Sequence, residues 1–325
     1  MSRFDLAIVG GMVVDGAGNQ RQRTDIAVSD GRIAHVGRVR PGDADRVIDA
    51  DGCVVAPGFI DLHTHYDAQV FWDPYLTTSG WHGVTSVVTG NCGFGFAPVR
   101  PELRERSMLS MTAVEAIPTE TLREGLPWDW VSFPEYLDSI ERTPLALNVL
   151  PYLPVNPLLV WVLGIDGAKA GRRPTDDEHA EIARLFHEAL DAGACGWSAQ
   201  CLGRPGESDG RFPQGDFDGT PMPSDIMWPE TRRVLAQVLG ERGTGFMQAS
   251  GVPDDEVESL VELSGRPFIW QAVVANQLTM YYRNRIEWLR SCRERGLPVY
   301  GQAMTVDAPI HFTLSNEAIL DRSPL

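Results

Sequence analysis

Pro57-Gly58-Phe59-Ile60-Asp61-Leu62-His63-Thr64-His65 decides how the rest of the chain is read. A short apolar run ends in two histidines at i and i+2. Alternate side chains of a strand share a face, so both imidazoles project to the same side at its C-terminal end. At the mouth of a parallel barrel that spacing lets two ring nitrogens converge on one cation. Two unrelated histidines match H-x-H by accident, and a polar strand end without a metal is the plain alternative. The setting gives the pair its weight, because it closes an apolar strand and precedes the first βα loop.

Downstream, single apolar strands alternate with amphipathic helices, the pattern of βα units around a parallel sheet. Strands are expected at Gly58–Leu62, Val84–Thr89, Leu145–Tyr152, Ala194–Ala199, Gly245–Ala249, Pro267–Val274 and Pro298–Val306. The clearest helix is Asp176–Ala192. Thr175 and Glu178 form a capping box, Ile182, Leu185, Phe186, Ala189 and Leu190 make one apolar stripe, and Gly193 follows as the terminator. Pro229–Glu241, Asp254–Leu263 and Leu278–Arg295 read as further helices. Pro118–Trp130 and Arg204–Pro223 read as long loops, a length that usually marks a functional insertion.

These features predict an α/β fold, a TIM-type (β/α) barrel over 57–325; the roughly 270 residues from Gly58 onward suit the ~250 of such a unit. Only seven strands can be counted, so the barrel is expected to be incomplete and the chain to be part of a longer protein. Upstream, residues 1–56 show period-2 alternation broken by turns: DLAIVG, MVVD, TDIAVSD, GRIAHVG and RVIDA. Asp30-Gly31 between two alternating runs is a hairpin signal. This stretch is expected to be a small β-sandwich segment.

Composition narrows the function classes. The chain has 325 residues, is 43% hydrophobic and 22% charged, and carries a net charge of −16. A surface that acidic repels phosphate backbones and anionic headgroups, so neither nucleic acid nor membrane is an expected partner. No apolar stretch is long enough to span a bilayer, and the N-terminus does not read as a signal peptide. Five scattered cysteines without a C-x-x-C pair suit a reducing compartment, so a cytoplasmic location is expected. Lys169 is the only lysine; it sits in the glycine-rich GIDGAKAG and is discounted as a reactive group.

A second motif follows one βα unit after the histidines: Val84-Thr85-Ser86-Val87-Val88-Thr89-Gly90-Asn91-Cys92-Gly93. A strand running into a glycine-rich turn would bring a thiol beside the imidazoles if the sheet is parallel. A thiolate ligates zinc well; a free cysteine taken alone is more often a buried small hydrophobe. Cys53, Cys195, Cys201 and Cys292 read as structural. His35 reads as a sheet-face residue, and His179 and His187 as surface residues of the best helix.

IVGGMVVDGAGNQ, DIAVSDGRIAHVG, RVIDADGCVVAPGFIDLHTHYD and GVTSVVTGNCGFGFAPV together resemble the amidohydrolase superfamily, specifically its N-acyl-D-amino-acid deacylase (D-aminoacylase) branch. The resemblance is strong over Phe4–Arg100 and continues more loosely through LPWDWVSFPEYLDSIER and EALDAGACGWSAQ. It implies a composite β-sandwich built from both chain ends, a metal-bearing barrel and hydrolysis of an N-acyl amide, with His63, His65 and Cys92 as zinc ligands. It also implies histidine ligands after the fifth and sixth strands, where this chain has Gln248 and Gln271, taken here as substrate-binding. No histidine lies between His187 and His311. Amide oxygens are poor zinc ligands beside imidazole or thiolate, which counts against a tightly held second metal. The family's catalytic aspartate follows an eighth strand that is not reached.

Three ligands leave a fourth zinc position open for an activated water. A carboxylate must then move the proton, and Asp67 and Asp307 are the candidates near strand ends, with an orienting role the plainer reading of Asp67. An acyl-amino-acid substrate carries a carboxylate, for which Arg204 is the candidate partner. Trp72, Trp81 and Trp197 are candidates for an acyl pocket, with core packing the plainer role. The expected substrate is a small N-acyl amino acid, and the protein can be an oligomer. A cyclic-amide (hydantoinase-like) hydrolase and a non-catalytic barrel of the same fold are the alternatives.

Overall fold

The computed structural model describes residues 3–203, 215–273 and 281–303. The chain divides into two compact units, Met1–Phe59 and Ile60–Leu325.

The first unit is all β. Its strands are β1 (Phe4–Val9), β2 (Met12–Val13), β3 (Gln22–Arg23), β4 (Ile26–Ser29), β5 (Arg32–Val36), β6 (Ala44–Asp49) and β7 (Val54–Val55). They form a four-stranded sheet in the order β5-β4-β1-β6 and a three-stranded sheet in the order β3-β2-β7. Asp30 and Gly31 both have positive φ (50° and 69°), the geometry of the tight hairpin turn joining β4 to β5. Phe4, Ala7, Ala27 and Val39 make the small core. The Asp25 carboxylate accepts from the backbone N–H groups of Val39 and Gly10, which hold it below the usual carboxylate range. β5 is exposed along its whole length, an open sheet edge. His35 lies on it, its ring stacked with that of Phe4. The two-residue strands β3 and β7 are too short to leave a period in the sequence.

The second unit is α/β. β8 (Phe59–Asp61), β9 (Val84–Thr89) and β10 (Asn148–Pro151) form one sheet in the order β10-β9-β8. β11 (Leu153–Pro154), β12 (Gly196–Gln200), β13 (Phe246–Ser250), β14 (Phe268–Val273) and β15 (Val299–Ala303) form a second, parallel sheet in sequence order. Only Tyr152 separates β10 from β11. Each of the seven expected segments contains a strand among the described residues, and β11 falls just beyond the end of the third.

Among the described residues, eight α-helices accompany these sheets: α1 (Arg104–Glu115), α2 (Thr119–Gly125), α3 (Phe133–Arg142), α4 (Val155–Lys169), α5 (Asp176–Ala192), α6 (Pro229–Arg242), α7 (Asp254–Ser264) and α8 (Tyr281–Glu294). α5 has the capping box read from T-D-D-E, closed by both reciprocal bonds, and ends at Gly193 with φ 116°. Ile182, Phe186, Leu235, Leu239, Val257 and Leu260 turn inward from α5, α6 and α7. β12 is buried at all five positions, as a strand covered on both faces must be. One expectation needs correction. Pro118–Trp130 is not all loop: Pro118 precedes the helix α2, with Leu122 buried. Lys169 is the last residue of α4, which runs through Gly164 at φ 70°.

Candidate metal centre

His63 and His65 follow β8 directly, and the chain there is tied to the end of β9: the Thr64 N–H and hydroxyl both donate to the Val88 carbonyl, at 3.1 and 2.8 Å. β9 then runs into the Gly90–Gly93 turn, where Gly90, Cys92 and Gly93 all have left-handed backbones (φ 74°, 57° and 78°). Cys92 has a Cβ and is held there against its steric preference. A Cβ at Gly90 would stand 2.7 Å from the Tyr152 carbonyl oxygen, so only glycine lets this turn fold against the neighbouring strand.

The turn throws the Cys92 sulfur toward the rings. His63 Nε2 and His65 Nε2 are 3.2 Å apart, and Cys92 Sγ lies 3.4 Å from the first and 3.8 Å from the second. All three ligand atoms fall within 4.8 Å of one another. Bond lengths of about 2.0–2.1 Å to nitrogen and 2.3 Å to sulfur in a tetrahedral site put ligand atoms roughly 3.3–3.6 Å apart. The donor set fits one divalent cation of that size.

The electrostatics agree with ligand chemistry. Burial drives the His63 imidazole below its ordinary value, and burial followed by the neighbouring His63 takes His65 down to about 3. Both shifts favour the neutral imidazole, the form that binds metal. Gln302 Oε1 sits 3.1 Å from His63 Nδ1, so that nitrogen carries the proton and Nε2 keeps its lone pair. His65 Nδ1 is buried without a hydrogen-bond partner. Burial first, opposed by the Gln271 N–H and reinforced by the Glu115, Asp67 and Asp225 carboxylates, pushes the Cys92 thiol up to about 12, a preference that a coordinated cation reverses outright.

Other groups close in. Glu115, the last residue of α1, reaches to 3.4 Å from His65 Nε2, and burial raises its carboxyl to about 7. The fully buried Asn91 donates from Nδ2 to the Thr64 and Val88 carbonyls at 3.0 and 2.8 Å. Its Oδ1 accepts from Gln248 Nε2 at 2.6 Å, and Gln248 Oε1 accepts from the Cys92 N–H at 3.4 Å. Gln271 Nε2 is 2.9 Å from Cys92 Sγ. Register explains the convergence: Ser198 pairs with Gln248 across β12 and β13, and Gln271 with Gln302 across β14 and β15.

Of the residues singled out in the sequence, His63, His65, Cys92, Gln248 and Gln271 thus come together. Asp67 lies fully buried nearby, its Oδ2 without a partner and burial raising it to about 7; its backbone carbonyl accepts from Tyr136 at 2.9 Å. Arg204 and Asp307 lie outside the described residues. Trp197 is core, Trp81 is exposed, and Trp72 packs over Gly125, so none of the three lines the centre. Glu115, Asn91 and Gln302 were not found from the sequence. Glu115 had left a trace: with Met108 and Met111 it occupies the inward stripe of α1, where a carboxylate is out of place.

An apolar cleft borders the centre through Phe94, whose ring neighbours His65. Val99, Met111, Val160 and Trp161 are among its walls, and Lys169 and Arg106, both paired to the buried Asp216, stand at its edge.

This is an amidohydrolase-type fold, α/β with parallel sheets, and residues 46–196 match the amidohydrolase family model Amidohydro_3. Within that class the chain is related to the N-acyl-D-amino-acid deacylases. It is 36% identical over 197 residues to N-acyl-D-aspartate deacylase of Alcaligenes xylosoxydans xylosoxydans, covering 61% of this chain and 36% of that protein. It is also 36% identical over 265 residues to an uncharacterised protein of Mycobacterium tuberculosis, covering 79% and 42%. A D-aminoacylase variant solved with copper chloride superposes with a TM-score of 0.70 at 25% identity, covering 93% of this chain and 59% of that one. N-acyl-D-glutamate deacylase of Bordetella bronchiseptica, solved with zinc and a phosphonate inhibitor, has the same fold, with a TM-score of 0.67 at 23% identity and coverage of 92% and 58%. The chain spans less than half the length of these two sequence relatives. No described helix is long and apolar enough to cross a membrane.

Proposed function

We propose that the chain is the metal-binding part of a hydrolase that cleaves the linear C–N amide bond of an N-acyl-D-amino acid, with zinc held by His63, His65 and Cys92. One observation carries this reading: two imidazole nitrogens and one sulfur stand at tetrahedral-ligand spacing at the ends of adjacent strands. The strand order supports a (β/α) barrel with eight strands described, the two-residue β11 among them, and the two small sheets of residues 1–56 support a sandwich segment. Five free thiols suit a reducing, cytoplasmic setting.

A zinc ion bound there supplies Lewis acidity to the amide carbonyl and lowers the pKa of the attacking water. The chain's own groups do the rest. Gln302 fixes the His63 tautomer. Glu115, within 3.4 Å of a ligand nitrogen, is the carboxylate best positioned to take a proton from the water and return it to the leaving nitrogen. Asp67, buried beneath, supports the loop rather than the transfer, and Asp307 stays a second candidate. The apolar cleft beside Phe94 suits the acyl chain. Gln271 Oε1, buried without a partner, suits the substrate N–H, Gln248 braces the cysteine turn, and Arg204 is assigned to the substrate carboxylate.

The test is a panel of N-acyl-D-amino acids and hydantoins assayed with the purified protein, alongside its metal content. The reading requires bound zinc that His63→Ala removes, and hydrolysis of the linear amides. Hydantoin cleavage alone would move the protein to the cyclic-amide hydrolases; folded protein that binds no metal would make it a non-catalytic relative of the fold.

A further inference from the structure

We infer that Gln248 and Gln271 restrict the centre to a single cation, with the Cys92 sulfur as a terminal ligand and not a bridge. This rests on reading His63, His65 and Cys92 as the metal centre. Hydrogen bonding fixes how the carboxamide of Gln248 faces. Asn91 Nδ2 donates to two backbone carbonyls, so its Oδ1 must face Gln248. Gln248 therefore presents Nε2 to Asn91, and its Oε1 is committed to the Cys92 N–H. That oxygen cannot turn to a cation without breaking the chain of amides that holds the cysteine turn.

Gln271 acts on the sulfur itself. Its Nε2 lies 2.9 Å from Sγ, and an N–H donated to a thiolate takes one of its three lone pairs and draws charge off the sulfur, which weakens it as a bridge to a second ion. The two imidazole Nε2 atoms already stand 3.4 and 3.8 Å from the same sulfur. A second cation would meet an N–H where it needs a donor atom. Turning the Gln271 amide to present Oε1 would remove that N–H from the sulfur and supply only a weak ligand. Gln271 is thus a positioning residue for the thiolate, and its unpartnered Oε1 stays available to substrate.

Metal content after incubation with excess Zn²⁺ or Co²⁺ and removal of unbound ion tests this directly. One ion per wild-type chain is expected, rising to two in Q248H/Q271H, where imidazoles replace both amides. Two ions per wild-type chain would overturn the inference and leave the hydrolase reading standing; none would remove both. A second readout is independent of the double variant. The sulfur-to-cobalt absorption band of the Co²⁺ protein is expected to shift in Gln271→Leu, which loses the N–H on sulfur; an unmoved band would contradict the role given to Gln271.

Discussion

Gln302 Oε1 meets His63 Nδ1 at 3.1 Å across 239 residues of chain, joining the last described strand to the first strand of the α/β unit. Such outer partners set the tautomer of a ligand histidine, and their loss typically costs 10–100-fold in metal affinity. Gln302→Leu is therefore expected to weaken zinc binding by about that factor, read by competition with a chromophoric chelator. Unchanged affinity would mean that Gln302 does not control the ring.

Asn91 is fully buried and its side chain makes three hydrogen bonds. Asn91→Ala strips Gln248 Nε2 and the Thr64 carbonyl of their partner, and orphaned buried polar groups cost about 1–3 kcal/mol each. A loss of about 2–4 kcal/mol in urea denaturation is expected, with metal binding weakened in parallel because Thr64 lies between the two histidines. A loss below about 0.5 kcal/mol, the size of an ordinary surface substitution, would contradict the relay.

Two glycines with the same sign of φ separate strain from crowding. Gly243, at the end of α6, has φ 62° and nothing within 4 Å of an added Cβ; Gly93 has φ 78° and would press on Ala199 Cα and Asn156 Nδ2, both at 3.2 Å. Gly243→Ala is expected to cost about 1 kcal/mol, the strain of a left-handed alanine. Gly93→Ala is expected to cost more and to weaken metal binding, since the displaced backbone is the cysteine turn. Equal losses of melting temperature would show that the packing around Gly93 is unimportant.

Asp225 gives a pH prediction away from the centre. Its carboxyl is buried, Oδ2 has no partner, and desolvation raises it to about 7 despite the hydrogen bond from the Leu202 N–H. Between about pH 4 and pH 7 the folded state then holds a proton that the unfolded chain has lost, so stability falls as pH rises through that window. Denaturation midpoints at pH 5 and pH 8 are expected to differ less in Asp225→Asn than in the wild type. An identical difference would mean that Asp225 ionises without cost in the fold.

Much of the scaffold was legible because it is written in local pattern. Alternation marked the strands, and Thr175, Glu178 and Gly193 marked both ends of α5 before any tertiary information. α2 was missed because Pro118 and Gly125 at its ends read as loop punctuation around seven residues. The convergence of His63, His65 and Cys92 was readable because strand ends gather at one mouth of a parallel sheet. Gln302, Asn91 and Glu115 owe their roles to partners distant in sequence, and neither Gln302 nor Asn91 disturbs a local period. Glu115 does, as a carboxylate on an inward helical stripe, and that anomaly was the one overlooked signal.

The most direct test of the centre is X-ray absorption at the zinc edge of the zinc-loaded protein. One sulfur neighbour at about 2.3 Å and two imidazoles at about 2.0–2.1 Å are expected, with the sulfur shell gone in Cys92→Ser. A zinc environment of oxygen and nitrogen only, unaltered by that substitution, would contradict it.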